Sequence, residues 1–156
     1  MSKVRIDMLD RREFLVTSGA AVAALTALTT GALARETKDA NKLLQELTGG
    51  AKPVEEKIKL EMPEIAENGA TVPVKISVDS PMTEKDYCQS VTIIAPKNPA
   101  VYVATFHFTP DSGKAWVATR MRLAQTQEVW ALARMSDGSF RIARTNVKVT
   151  IGGCGG

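Results

Sequence analysis

The sequence predicts an all-β protein, an immunoglobulin-like antiparallel β-sandwich, and three observations carry that prediction. Beyond residue 50, apolar residues recur with a period of two in short runs, as in Ile58-Lys59-Leu60-Glu61-Met62 and Val72-Pro73-Val74-Lys75-Ile76-Ser77-Val78. Such alternation puts one side of a strand in a core and the other in water. Turn-forming clusters separate the runs: Asn68-Gly69, Asp79-Ser80-Pro81, Pro96-Lys97-Asn98-Pro99, Thr109-Pro110-Asp111-Ser112-Gly113 and Asp137-Gly138. Between these turns no segment has helical periodicity. About seven short strands without intervening helices form the pattern of a two-sheet sandwich.

The first 34 residues read as an address rather than as part of the fold. Asp10-Arg11-Arg12-Glu13-Phe14-Leu15 precedes an uncharged run from Val16 to Ala34 that ends in Ala32-Leu33-Ala34. A small-x-small triplet after such a run is the pattern that signal peptidase cuts, here after Ala34. The paired Arg11 and Arg12 followed by Phe-Leu resemble a twin-arginine export signal. The run is short and only moderately apolar, so no stable membrane insertion is expected. The three predicted parts are a leader (1–34), a sandwich domain (35–151) exported to the periplasm, and a terminal arm (152–156).

In the mature chain, Leu43, Leu44 and Leu47 lie at helical spacing between Lys38 and Leu47, and Gly49-Gly50 stops the short helix. Strands follow at Ile58–Met62 and Val72–Val78. Pro73 inside the second marks an edge position or an unpaired N–H. Further strands are expected at Ser90–Ala95, Val101–Phe108, Ala115–Leu123 and Glu128–Met135. After the Asp137-Gly138 hairpin turn come two more, Ser139–Arg144 and Asn146–Ile151. In the last, Val147, Val149 and Ile151 alternate with polar residues, so an apolar face is expected to clamp it almost to its end. Trp116 and Trp130 sit in alternating strands where a core or an interface uses them, and the core is expected for at least one.

Composition excludes several classes of function. The chain has 156 residues with a net charge of +3. Without the leader it carries sixteen basic and fourteen acidic side chains, too balanced to track a nucleic acid. Two cysteines and one histidine leave no donor set for most structural zinc sites and no framework of disulfides. No phosphate loop and no Ser-His-Asp set is visible, so the residues imply no catalytic group, no metal and no cofactor. His107 lies in Phe106-His107-Phe108, where alternation turns the two Phe inward and the His outward. Cys88, in Tyr87-Cys88-Gln89, reads as a small buried residue at the start of a strand.

The feature that the composition does not explain is the terminus, Gly152-Gly153-Cys154-Gly155-Gly156. Glycine tolerates both signs of φ, so the segment reads as a flexible thread. It can hold the Cys154 thiol about 10 Å beyond Ile151. The terminal carboxylate opposes ionisation of that thiol, whose unperturbed pKa is near 8.5, so a partner's site has to activate it.

The terminal pentapeptide, the twin-arginine leader and the stretch from Asn68 to Met82 together resemble the SoxY family of bacterial sulfur-oxidation carrier proteins, over essentially the whole mature chain. The resemblance implies a non-catalytic subunit that holds thiosulfate-derived sulfur covalently on Cys154. It implies a heterodimer with a SoxZ-type subunit. It also implies that the loaded arm passes among a haem-containing conjugating enzyme, a hydrolase that releases sulfate and, in many systems, a sulfane dehydrogenase. A Cys88–Cys154 disulfide would pin the arm and oppose that function. Two other readings stand beside it. One is a ubiquitin-like sulfur carrier activated at its Gly-Gly carboxylate, which needs a long helix across a sheet. The other is an immunoglobulin-like binding module with an intermolecular disulfide at Cys154.

Overall fold

The computed structural model of the protein describes residues 39–151. Arg11, Arg12, Ala34 and the arm residues 152–156 lie outside them. Residues 39–48 form a helix, α1, ended by Gly49 and Gly50, both with positive φ, as the leucine spacing and the glycine pair predict. Eight strands follow: β1 (Ile58–Glu61), β2 (Ile65–Ala66), β3 (Val72–Val78), β4 (Cys88–Ile94), β5 (Tyr102–His107), β6 (Ala115–Met121), β7 (Gln127–Met135) and β8 (Phe140–Val149). A single 3-10 turn, Pro110–Ser112, precedes β6. The long helix of a ubiquitin-like carrier is absent among the described residues.

The strands build two sheets, in the orders β1-β3-β6 and β2-β8-β7-β4-β5. Every pairing is antiparallel except that of β2 with β8. The sheets enclose one core, from Val72, Val74 and Ile76 of β3 to Val91 and Ile93 of β4, Val129 and Ala131 of β7 and Val147 of β8. Each of these valines and isoleucines taken fully from water contributes about 1.5–3 kcal/mol. This is the predicted sandwich.

A second core lies on the outer face of the five-stranded sheet. There Ala40, Leu43, Leu44 and Leu47 of α1 pack on Ile94, Trp130, Leu132, Phe140 and Ile142. It explains a correction. The two strands expected after Gly138 are one strand, β8. Its even-numbered Phe140 and Ile142 are buried under α1, while its odd-numbered Val147 belongs to the inter-sheet core. The apolar phase switches faces within a continuous strand, which in sequence looks like a break.

Pro73 is likewise not on an edge strand, because β3 is the middle strand of its sheet. The register of β1 ends at Lys75, however, so at Pro73 only β6 runs alongside. A residue without an N–H costs no ladder bond on the open side. The Asp137-Gly138 hairpin forms as predicted, with Gly138 at φ 82° and Met135 receiving its N–H.

Candidate functional site

The candidate site residues of the sequence, Cys154 with Gly152, Gly153, Gly155 and Gly156, lie outside the described residues. Their root does not. It is the end of β8, and the way this end is held differs from expectation. Ile151 is 68% exposed, so the apolar clamp stops at Val149, which packs partly against the core.

Hydrogen bonds take over from there. On one side, Lys148 N–H donates to the Glu64 carbonyl (2.8 Å) and Thr150 N–H to the Ala66 carbonyl (3.1 Å), the parallel β2–β8 pairing. The Thr150 hydroxyl donates to the Glu67 carbonyl at 2.8 Å. Gly69 N–H donates to the Ile151 carbonyl at 2.7 Å, and the Gly69 carbonyl accepts from Leu123 N–H at 2.8 Å. Gly69 thus ties the last described residue of the chain to the segment that follows β6.

On the other side β7 begins at Gln127, opposite Val147, so Val149 has no β7 partner. The Thr126 hydroxyl takes that place, accepting from Val149 N–H at 2.9 Å and lying 3.4 Å from its carbonyl. Thr126 is itself fixed. Lys97 Nζ donates to its carbonyl (3.3 Å) and Lys97 N–H to Gln127 Oε1 (2.9 Å). Asn98 receives Ala124 N–H and Gln127 Nε2 on its Oδ1, both at 2.9 Å, and donates to the Arg122 carbonyl at 2.8 Å. The end of β8 is therefore a backbone held on both flanks.

Sequence reasoning missed this clasp. A two-residue strand such as β2 is too short to show alternation, and Asn68-Gly69 reads as a turn without revealing what it touches. The Asn68 side chain does act as a turn residue, accepting Ala70 N–H at 2.8 Å.

The other cysteine lies among the described residues, and it is withdrawn from solvent. Cys88 opens β4 with no exposed surface and is a free thiol. A bulge between Cys88 and Ser90 turns it into the inter-sheet core. Burial pushes its pKa from 9.0 up to about 11, opposed only by the hydrogen bond to the Ser90 carbonyl at 3.5 Å. Such a thiol is protonated near neutral pH, and a thiol that is not ionised is a poor nucleophile. A disulfide from Cys88 to Cys154 would require the core to open.

His107 is exposed while Phe106 and Phe108 pack against the core, as alternation predicts. Trp130 is buried and Trp116 is 55% exposed. Among the described residues no group of three or more His, Cys, Asp or Glu is placed to hold a metal ion, and no helix is long and apolar enough to cross a membrane.

The superoxide reductase (neelaredoxin) of Ignicoccus hospitalis superimposes with a TM-score of 0.54 at 19% identity, over 60% of this chain and 80% of that one. The superoxide reductase of Nanoarchaeum equitans does so with a TM-score of 0.51 at 11% identity, over 61% and 99%. At those identities the likeness is one of fold alone. No curated protein matches the chain. The sulfur carrier protein SoxY of Chlorobium limicola f thiosulfatophilum superimposes with a TM-score of 0.58 at 32% identity, over 71% of this chain and 96% of that one. The family model described as sulfur oxidation protein SoxY matches residues 44–154. With a match over most of its length and a solved relative at that identity, the chain belongs to the SoxY family.

Proposed function

We propose that the chain is a periplasmic sulfur carrier that holds thiosulfate-derived sulfur covalently on Cys154 and presents it to other enzymes without catalysing a reaction itself. The observation that carries this reading is the extent of the family match, which runs to residue 154 and so includes the terminal cysteine. The burial of Cys88 supports it, because that thiol is withdrawn from reaction.

Loading joins the Cys154 sulfur to the outer sulfur of thiosulfate. One S–S bond forms, the thiol loses its proton, and two electrons leave to the haem-containing conjugating enzyme. A hydrolase then adds water across the bond to the sulfonate, releasing sulfate and leaving a persulfide on the arm. A sulfane dehydrogenase is the further partner in this scheme. Gly152, Gly153, Gly155 and Gly156 give the thiol free passage into each site. Arg11 and Arg12 direct export, cleavage follows Ala34, and a SoxZ-type subunit accompanies the chain as a heterodimer.

Intact mass of the protein purified from the periplasm of thiosulfate-grown cells tests all of this at once. The expected species starts at Arg35, carries an adduct that a reductant removes, and co-purifies with a second small subunit. Cys154→Ser is expected to remove the adduct completely and Cys88→Ser to leave it. An adduct that survives Cys154→Ser, or one lost in Cys88→Ser, overturns the reading.

A further inference from the structure

Next to α1, on the outer face of the five-stranded sheet, lies a cleft of about 310 Å³, at the lower end of the sizes that hold small molecules. Strand register builds its floor. Ser90 of β4 stands opposite His107 of β5 on one side and Arg134 of β7 on the other. The three form one row across the sheet, with neighbouring Cβ atoms about 4.5–5.5 Å apart. One step along, Thr92 stands opposite Thr105 and their hydroxyls share a hydrogen bond of 2.8 Å. All five side chains line the cleft, and Leu47, Leu132 and Phe140 wall it toward the helix.

The chemistry of the lining is one-sided. A guanidinium and an imidazole flank the Ser90 hydroxyl, the Thr92 and Thr105 hydroxyls lie one step along, and no carboxylate lines the cleft. The Arg134 guanidinium forms no ion pair with another described residue. The His107 ring and the Ser90 hydroxyl line the same space. An arginine fork matches the oxygens of an oxyanion.

We infer that this cleft binds a small tetrahedral oxyanion, held by Arg134 and His107 over the hydroxyls of Ser90, Thr92 and Thr105. The site is separate from the arm of its own chain. Arg134 lies opposite Phe140 at the start of β8, so about 30 Å of strand separates this row from Val149. Cys154 is five residues beyond Val149 and reaches only about 17 Å at full extension. The ligand is therefore a free anion and not the group carried on the same molecule.

The test is titration of the full chain with sulfate and, separately, with inorganic phosphate, at ionic strength held constant with chloride, followed by amide chemical shifts. Saturable shifts confined to residues 90–92, 105–107 and 132–134 are expected with at least one of the two anions. Arg134→Gln and His107→Gln are each expected to weaken binding by at least about tenfold, the weight of one charge-assisted hydrogen bond. Their unfolding midpoints should stay unchanged, since both side chains are exposed. Arg120→Gln, on the other sheet, should bind like the original chain. Non-saturating shifts with both anions, saturable shifts elsewhere, or equal weakening by Arg120→Gln overturns the proposal.

Discussion

At the scale of single residues, Cys88 is an inert thiol whose inertness is measurable. Its thiol has no exposed surface and its pKa is raised to about 11 by burial. A group that holds its proton more tightly when folded contributes stability that is complete below its unfolded pKa. That stability is lost as pH rises from about 9 to about 11. The shift corresponds to about 2–3 kcal/mol across that window. Urea denaturation at a series of pH values is expected to show this loss in the original chain. A Cys88→Ala variant, weaker at neutral pH because of the cavity it leaves, should lack that part of the slope. Parallel curves for the two proteins would mean that Cys88 ionises no less readily in the fold than outside it.

At the scale of elements, the end of β8 replaces lost ladder bonds with side-chain and loop contacts, and Thr126 is the replacement most open to test. Thr126→Val keeps the shape of the side chain and removes the hydroxyl that accepts Val149 N–H. The bond lies at the surface, where water can take the place of the hydroxyl, so its loss is expected to cost about 1 kcal/mol or less. Hydrogen exchange is expected to speed markedly at the Val149 amide and to change little at the Val147 amide, which β7 still flanks. Equal protection at Val149 in both proteins would show that the hydroxyl does not hold the root of the arm. The same elements show what the sequence makes legible. β3, with every second side chain buried, is readable because one face meets one core throughout. β8 is not, because α1 buries one face of its first half and the inter-sheet core the other face of its second half. The terminal cysteine is legible as a motif in sequence alone, while the anchorage of the end of β8 through Glu64, Gly69 and Thr126 depends on contacts between segments far apart in the chain.

At the scale of the whole molecule, the sandwich has two hydrophobic layers, and its two tryptophans occupy opposite situations with respect to them. Trp130 lies in the layer that attaches α1 to the sheet. It packs with Leu132, Ile142 and the leucines of the helix, donates its Nε1–H to Glu128 at 2.6 Å, and carries the Arg144 guanidinium 5.5 Å from its ring centre. Arg144 is in turn paired with Glu55, so one side chain joins apolar packing, a hydrogen bond and a cation–π contact. Trp116 stands on β6, an edge strand of the smaller sheet, with more than half its surface in water. Truncating a buried aromatic removes its transfer energy and leaves a cavity, so Trp130→Ala is expected to cost about 3–5 kcal/mol. Trp116→Ala uncovers little core and is expected to cost about 1 kcal/mol or less in the isolated chain. Urea midpoints of the two variants, compared at equal slope, check the ordering. The cost at Trp130 should fall on the helix-covered layer first, so amides of residues 43–48 should lose exchange protection before those of Val74 and Ile76. If Trp116→Ala proves the more damaging of the two, the exposed tryptophan belongs to a folded layer and not to open surface. If residues 43–48 keep their protection in Trp130→Ala, the helix is held to the sheet by its own leucines without the indole.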